Sequence, residues 1–589
     1  MRVSKNQYGY IISLFLLIAS FIFLHVVKID FYNTTFKSDS LSQAITFPYL
    51  DKNPPKKEKF VITTYFNHGD YSSNTLKIVP DDCVENIILN DKKVDISSYS
   101  RQQLCDYKSG FTIDVEQYLV NGNNRLTLMI NDYGGARGVD INEIGGYESY
   151  IYFLILFIIF IYTYKFLLHL NIEKRVALFF LLGLMLKLYY LSYTEFDIRT
   201  YDVQGHIDYI KYIAENFKTP PVDACWQCYH QPLYYILSAI VYKIATFINI
   251  DFANISLQYF TLFLNSLFLI YSILIIKLFI KQKNILLLFS SFMIFFPSLT
   301  IHAARIGNDA LFYLFHIMSI YYFLKWVASK EDKKFIYLAL ISTLLAILVK
   351  GNGILTFGII GLSYLFIILK NKLFMNYLTT TIISIFSFIL VLALNLGVNK
   401  VRDAKDFALV GNAQGLTHRL KIDSSVNSFT NVDLNTYLSN PYTNPWKDGF
   451  GRNHFWHFLL KTSLFGEFSY MKKLDSYAKI ISFLYIFILF FVVLGFLLIK
   501  QKDIEKYIVL ILNLFILIIG MIYLRVTVPF ACSSDFRYIV PIIVSFVLFY
   551  SNLSTYLLNS DKVILKISVF GSLVLFLVFS ILFFIILGL

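Results

Sequence analysis

Along most of the chain apolar residues come in long uninterrupted runs, with polar residues gathered between them. Runs of about 17–25 apolar residues are the length that crosses a bilayer as a helix. They fall at roughly 10–27, 148–170, 176–193, 255–276, 284–303, 309–327, 335–349, 353–369, 374–397, 477–499, 507–526, 536–557 and 563–588, about thirteen predicted spans. A further run, 232–249, opens at Pro232 and is interrupted by Lys243. Residues 58–145 have a different pattern. Short segments such as Val61–Tyr65, Leu76–Val79, Val84–Leu89 and Arg125–Ile130 are rich in strand formers, with Asn90-Asp91, Asn121-Gly122 and Gly134-Gly135 between them as turns. The expected fold is a polytopic α-helical membrane protein with an N-terminal β-sandwich outside the membrane.

Charge orients the spans. Lysine and arginine concentrate in cytoplasmic loops. With Met1 inside and 232–249 lying on the surface, the inside loops carry Lys165, Lys174 and Arg175; Lys277, Lys281 and Lys283; Lys330, Lys333 and Lys334; Lys370 and Lys372; Lys500, Lys502 and Lys506; and Lys562. Letting 232–249 cross would move every later cluster outside. The expectation is therefore an interfacial or re-entrant helix at 232–249 and an outer C-terminus. The first run follows Arg2 and Lys5, as a signal peptide would, but it continues into His25-Val26-Val27-Lys28 without a small-residue cleavage site, so it reads as an uncleaved anchor. The organisation expected is an anchor at 1–30, the sandwich at 31–147, a membrane core at 148–397 with an outer loop at 194–254, an outer segment at 398–476 and C-terminal helices at 477–589.

Composition narrows the class. Of 589 residues, 57% are hydrophobic and 15% charged, against about 45–50% and about 25% in soluble proteins. This excludes a soluble enzyme. The net charge of +13 belongs to loops facing anionic lipid and implies no nucleic-acid partner. No P-loop or GxGxxG follows a strand, which argues against an ATP-driven pump and against use of a cytoplasmic nucleotide-sugar. Four of the five cysteines, Cys83, Cys105, Cys225 and Cys228, fall in outer segments, where disulfides are permitted. Cys83–Cys105 could pair within the sandwich. Cys225-Trp226-Gln227-Cys228 reads as a local disulfide, with free thiols or a metal as the other readings.

The most informative stretch begins where a span leaves the membrane: Phe196-Asp197-Ile198-Arg199-Thr200-Tyr201-Asp202-Val203-Gln204-Gly205-His206, running on to Tyr229-His230-Gln231-Pro232-Leu233-Tyr234. A carboxylate there can reach both a lipid phosphate and an aqueous acceptor. Three more motifs follow on the same side: Arg305-Ile306-Gly307-Asn308-Asp309, Val349-Lys350-Gly351-Asn352-Gly353 and Asp535-Phe536-Arg537-Tyr538.

In their order and sidedness these motifs resemble the GT-C superfamily of integral-membrane glycosyltransferases, especially the dolichyl-phosphate-mannose protein mannosyltransferases and the lipid A aminoarabinose transferases. The resemblance covers roughly 176–557. It implies transfer of a sugar from a polyprenyl-phosphate donor to an envelope glycolipid, polysaccharide or protein, on the outer face of the cytoplasmic (inner) membrane and with inversion. Asp202 is the expected base, Asp197 its rival, and Asp309 an aid to the acceptor or to a metal. Lys350 and Arg537, with Arg305 in reserve, are expected on the donor phosphate. His206, His230, Tyr234 and Trp456 are candidate sugar or acceptor contacts. No cofactor is required; a divalent metal on Asp309 and His230 stays open. The run from Asp114 to Leu128 also resembles galactose-binding-like modules.

Each residue has a plainer reading. Asp202 could be a solvated loop carboxylate, Asp309 a helix cap and Lys350 a snorkelling lysine. Arg537 could serve only to pair with Asp535. The 398–476 segment, with Trp446 and Trp456, reads as a lid or as a passive loop. Two other functions stay open: an O-antigen ligase or polymerase, and a transporter or lipid flippase. Transporters usually carry ionisable residues near the bilayer midplane, and these spans are almost free of charge.

Overall fold

The computed structural model describes residues 29–401 and 418–589 except 30, 40, 52–57, 70–71, 108–109, 135, 144–146, 249–251, 330–331, 374, 448, 450 and 559. The span expected at 10–27 and the anchor at 1–30 lie almost wholly outside these residues. The chain divides into two compact units, 1–165 and 166–589.

The first unit contains ten strands: β1 (Phe31–Ser38), β2 (Ser42–Ala44), β3 (Tyr49–Asp51), β4 (Lys59–His68), β5 (Thr75–Asp81), β6 (Cys83–Leu89), β7 (Lys92–Lys93), β8 (Phe111–Asp114), β9 (Gly122–Asn131) and β10 (Arg137–Glu143). They form two antiparallel sheets, ordered β2-β1-β4-β9-β6-β7 and β3-β10-β5-β8. The period of two decides which residues turn inward. Phe60, Ile62 and Phe66 of β4, Leu126, Leu128 and Ile130 of β9, and Leu76, Ile78, Ile113 and Ile141 of the other sheet share one apolar core. Arg137 is fully buried, yet paired with Asp51 and Glu58. Cys83 and Cys105 form a disulfide.

The second unit is helical. In chain order, and counting helices of eight residues or more, the segments are α1 (Tyr147–His169, which crosses the division), α2 (Lys174–Ser192), α3 (Val203–Asn216), α4 (Leu233–Ile248), α5 (Phe252–Phe279), α6 (Lys283–Ile294), α7 (Pro297–Ala304), α8 (Asp309–Ser329), α9 (Lys333–Val349), α10 (Gly353–Lys370), α11 (Leu378–Val401), α12 (Phe455–Phe465), α13 (Asp475–Leu497), α14 (Ile504–Thr527), α15 (Ile543–Leu558) and α16 (Val563–Gly588).

Among the described residues nine helical segments are long and apolar enough to cross a membrane, or ten if a bent pair counts as one. The chain is therefore a multi-pass helical membrane protein. The nine are counted on the described residues alone, and the run at 10–27 lies outside them. The run at 284–303 is not one straight helix: it breaks by 46° between α6 and α7, where Pro297 cannot continue α6. Ile294 ends α6, and the Lys187 ammonium donates to its carbonyl at 2.7 Å. α9 has 17 residues, the lower limit of the length that crosses a bilayer.

α4 follows Pro232 and has 16 residues. It joins α3 to α5 as a short apolar helix. Gln258 of α5 donates to the carbonyls of Thr194 and Ala304 at 3.2 and 3.1 Å, tying the residues after α2 to the end of α7. This places the segments around Asp202 and Arg305 at one end of the bundle.

Candidate active site

Asp202 precedes α3. Its helix forms because Val203, Ile207, Ile210, Ile213 and Ala214 recur on one buried face, and it stops at Phe217, a residue with φ of 54°. An aspartate in this position normally caps its own helix. Asp202 makes no such bond. Its carboxylate instead accepts from Arg537 Nη1 at 3.0 Å, with Arg305 Nη2 at 3.9 Å. Burial alone would raise its pKa; the Arg537 and Arg305 guanidiniums outweigh that and hold it at about 2.

Asp309 opens α8 as its first residue, after the turn that follows α7. The turn is pinned from α4, where the Tyr234 hydroxyl accepts the Gly307 N–H at 3.1 Å. Gly307 lies beside His206, whose Nε2 would stand 3.4 Å from a Cβ there, an ordinary contact. The Asp309 carboxylate accepts a hydrogen bond from Lys350, which ends α9 and is buried. The ammonium lies 4.8 Å from the centre of the Tyr538 ring. Lys350 is thus paired inside the protein, not snorkelling.

One face of α8 runs on from there. Tyr313, a turn after Asp309, donates its hydroxyl to the Arg537 carbonyl. His316, three residues further, bonds Thr356 and Asn513 at 2.8 Å each. Asn513 in turn donates to the Pro541 carbonyl at 3.3 Å. Pro541 interrupts the segment 536–542, so its carbonyls look elsewhere for donors, and α8 and α14 supply them. Arg537 is fixed further by Asp535 Oδ2, 3.2 Å from its Nε in an ion pair without hydrogen-bond alignment, and by the Tyr538 hydroxyl at 3.1 Å.

Arg305 is bound differently. It is buried, and neither Nη1 nor Nη2 has a hydrogen-bond partner among the described residues. Among the described residues its ion pair is with Asp202, at 3.9 Å, and it faces the Phe468 ring at 5.8 Å. A buried polar group without a hydrogen bond is rare and costly. Arg305 thus keeps two guanidinium nitrogens without a hydrogen bond among the described residues.

His206 bonds the Tyr235 hydroxyl at 2.8 Å and stacks on His230 at 6.2 Å. Burial depresses its pKa to about 4, against the pull of Asp202. The Cys225–Cys228 disulfide packs its loop on Gly205 of α3, where a Cβ would stand 2.9 Å from Trp226 and Gln227. His206, His302, Arg305, Asp309, Tyr313 and Arg537 line one narrow polar pocket of about 10 Å³, room for about one water.

Two expected residues stay apart. Asp197 is exposed in the turn before the site and takes part in no ion pair among the described residues. Trp456 donates its indole N–H to the Phe429 carbonyl at 3.0 Å and does not line the pocket. Among the described residues no group of three or more His, Cys, Asp or Glu is placed to hold a metal ion.

Sequence reasoning gave no role to His302, Tyr313 or Glu467. Glu467 follows Gly466, whose φ is 65°. Its carbonyl accepts the Tyr201 hydroxyl at 3.4 Å, and its buried Oε1 has no partner among the described residues. Burial and the neighbouring Asp535 push its pKa up to about 8.

A profile of the dolichyl-phosphate-mannose-protein mannosyltransferase family matches residues 234–399. Those residues carry a GT-C signature. The matched GT-C segment includes Tyr234, Arg305, Asp309 and Lys350, and stops short of Asp202 and Arg537. No curated protein matches the chain.

Proposed function

We propose that the protein is a membrane glycosyltransferase that takes a sugar from a polyprenyl-phosphate donor and passes it, with inversion, to an acceptor hydroxyl outside the cytoplasmic membrane. The observation that carries this reading is the meeting of Asp202, Arg305, Asp309, Lys350 and Arg537, from four distant segments, in one buried cluster. The matching family is named for a lipid-phosphate sugar and a protein acceptor. The N-terminal sheets read as a β-sandwich.

The chemistry follows from the charges. The acceptor oxygen forms a bond to the anomeric carbon, the bond from that carbon to the phosphate oxygen breaks, and polyprenyl phosphate leaves. Charge gathering on the leaving phosphate needs fixed cations. Arg305 supplies the first, because its guanidinium is buried and short of partners, and Arg537 the second. The acceptor proton goes to Asp202. A carboxylate held at about 2 is a poor base. Once donor phosphate engages Arg305 and Arg537, Asp202 loses its counter-ions and gains basicity, so the base is armed only with donor in place. Asp309 with Lys350 fixes the floor of the site.

The test is mass spectrometry of envelope glycolipids and glycoproteins from a deletion strain complemented with wild type or with Asp202→Asn. A sugar mass lost on deletion and regained only with wild type supports transfer and identifies the acceptor. Full restoration by Asp202→Asn removes Asp202 as base, and no glycan change at all would favour a transporter.

A further inference from the structure

α3 and α4 join two spans, α2 and α5, at the end of the bundle that holds the site, and neither is a candidate span. A groove of about 450 Å³ runs between them. Ile213, Ala214 and Ala239 lie along it, buried. Ile236, Ile240 and Ile244 line it at a spacing of four residues, and Ile244 is 58% exposed. Phe217, 82% exposed, closes one end. The remaining charged lining is Lys218 and Lys243, both exposed, with the Lys243 ammonium 5.8 Å from the centre of the Phe217 ring. Among the described residues no acidic side chain lines the groove.

We propose that this groove binds an anionic phospholipid of the surrounding leaflet, its acyl chain along Ile236, Ile240 and Ile244 and its phosphate between Lys218 and Lys243. An apolar trough rimmed by two cations complements an acyl chain and favours an anionic headgroup over a neutral one. It is not the donor's own seat. Lys243 lies nine residues along α4 from Tyr234, about 13 Å at 1.5 Å per residue, and Tyr234 is the residue that pins the Arg305–Asp309 turn. One phosphate cannot occupy both places. A bound lipid would fix α4, and through Tyr234 the turn carrying Arg305.

Native mass spectrometry of the full chain in detergent tests this without any knowledge of the reaction. Phosphatidylglycerol and phosphatidylcholine with matched chains are titrated in turn. Wild type should retain phosphatidylglycerol about tenfold better, since each basic residue at an anionic surface adds several-fold. Lys218→Gln with Lys243→Gln should bring it to the phosphatidylcholine level. Ile240→Ser with Ile244→Ser should lower both. Thermal unfolding shows whether each variant is folded. Equal retention of the two lipids, or a lysine double variant that behaves as wild type, overturns the proposal. So does displacement of phosphatidylglycerol by a polyprenyl phosphate from wild type alone, which would make the carrier the occupant.

Discussion

The pairing of Asp202 with Arg537 can be weighed by a double-mutant cycle. Asp202 is held at about 2 against an ordinary 3.8. At about 1.36 kcal/mol per pH unit the ionised form is favoured in the folded state by about 2.4 kcal/mol. Its side chain is 21% exposed, so screening trims this only modestly. Asp202→Asn, Arg537→Gln and the double variant would be unfolded by denaturant titration in detergent at pH 7. Each single change should cost about 3 kcal/mol, because it removes the nearest counter-charge of a buried partner and leaves Arg537 with Asp535, or Asp202 with Arg305. The coupling between them should be about 2 kcal/mol. The sign with pH is fixed: a depressed carboxylate stabilises above about pH 4, and that contribution disappears as pH falls from about 4 to about 2. The gap between wild type and Asp202→Asn should narrow over that interval. A coupling below about 0.5 kcal/mol would refute the pairing, and with it the idea that donor phosphate arms the base by drawing the arginines away.

Glu467, pushed up to about 8, favours the folded state while protonated; that contribution fades as pH rises from about 4.5 to about 8, so thermal unfolding of Glu467→Gln should vary less between pH 5 and pH 9 than that of wild type. Lys350→Met should destabilise by about 3–5 kcal/mol by stranding Asp309, and adding Asp309→Asn should recover much of that stability without restoring transfer. Tyr313→Phe should cost about 1–3 kcal/mol, the penalty for an orphaned buried Arg537 carbonyl, and should lower transfer more than Phe468→Leu does. Alkylation of the denatured, unreduced chain should label Cys532 alone, and all five cysteines after reduction; labelling of Cys225 without reductant would contradict the local disulfide.

How much could be read from residues alone depended on whether one element or several carried the signal. The strands around Ile62, Ile78 and Leu128 were legible because a period of two survives in each segment separately. The spans were legible as apolar runs, but length alone could not show that α6 and α7 bend, or that α9 stops at 17 residues. Asp202, Asp309, Lys350 and Arg537 stood out because charge is scarce at the ends of apolar runs. Tyr313 and His302 did not, because within an apolar run a tyrosine or histidine looks like packing until the carbonyl or guanidinium opposite is known. Glu467 was hidden in a segment of ordinary polarity, and its burial arises only from contacts made by the rest of the chain. Asp197 and Trp456 looked equal to their neighbours for the opposite reason: residue type does not reveal that a turn points outward or that an indole is already engaged by Phe429.

Asp202 and Arg537 are separated by 335 residues. At a synthesis rate of about 5–20 residues per second, the arginine leaves the ribosome about 17–67 s after the aspartate. Throughout that time the carboxylate has no Arg537, and the first half of the bundle must sit in the membrane with its acidic end incomplete. The ion pair therefore works as a late clasp in biogenesis. Chains cut short before Arg537 would leave that carboxylate with Arg305 as its remaining cation, a ready mark for membrane quality control.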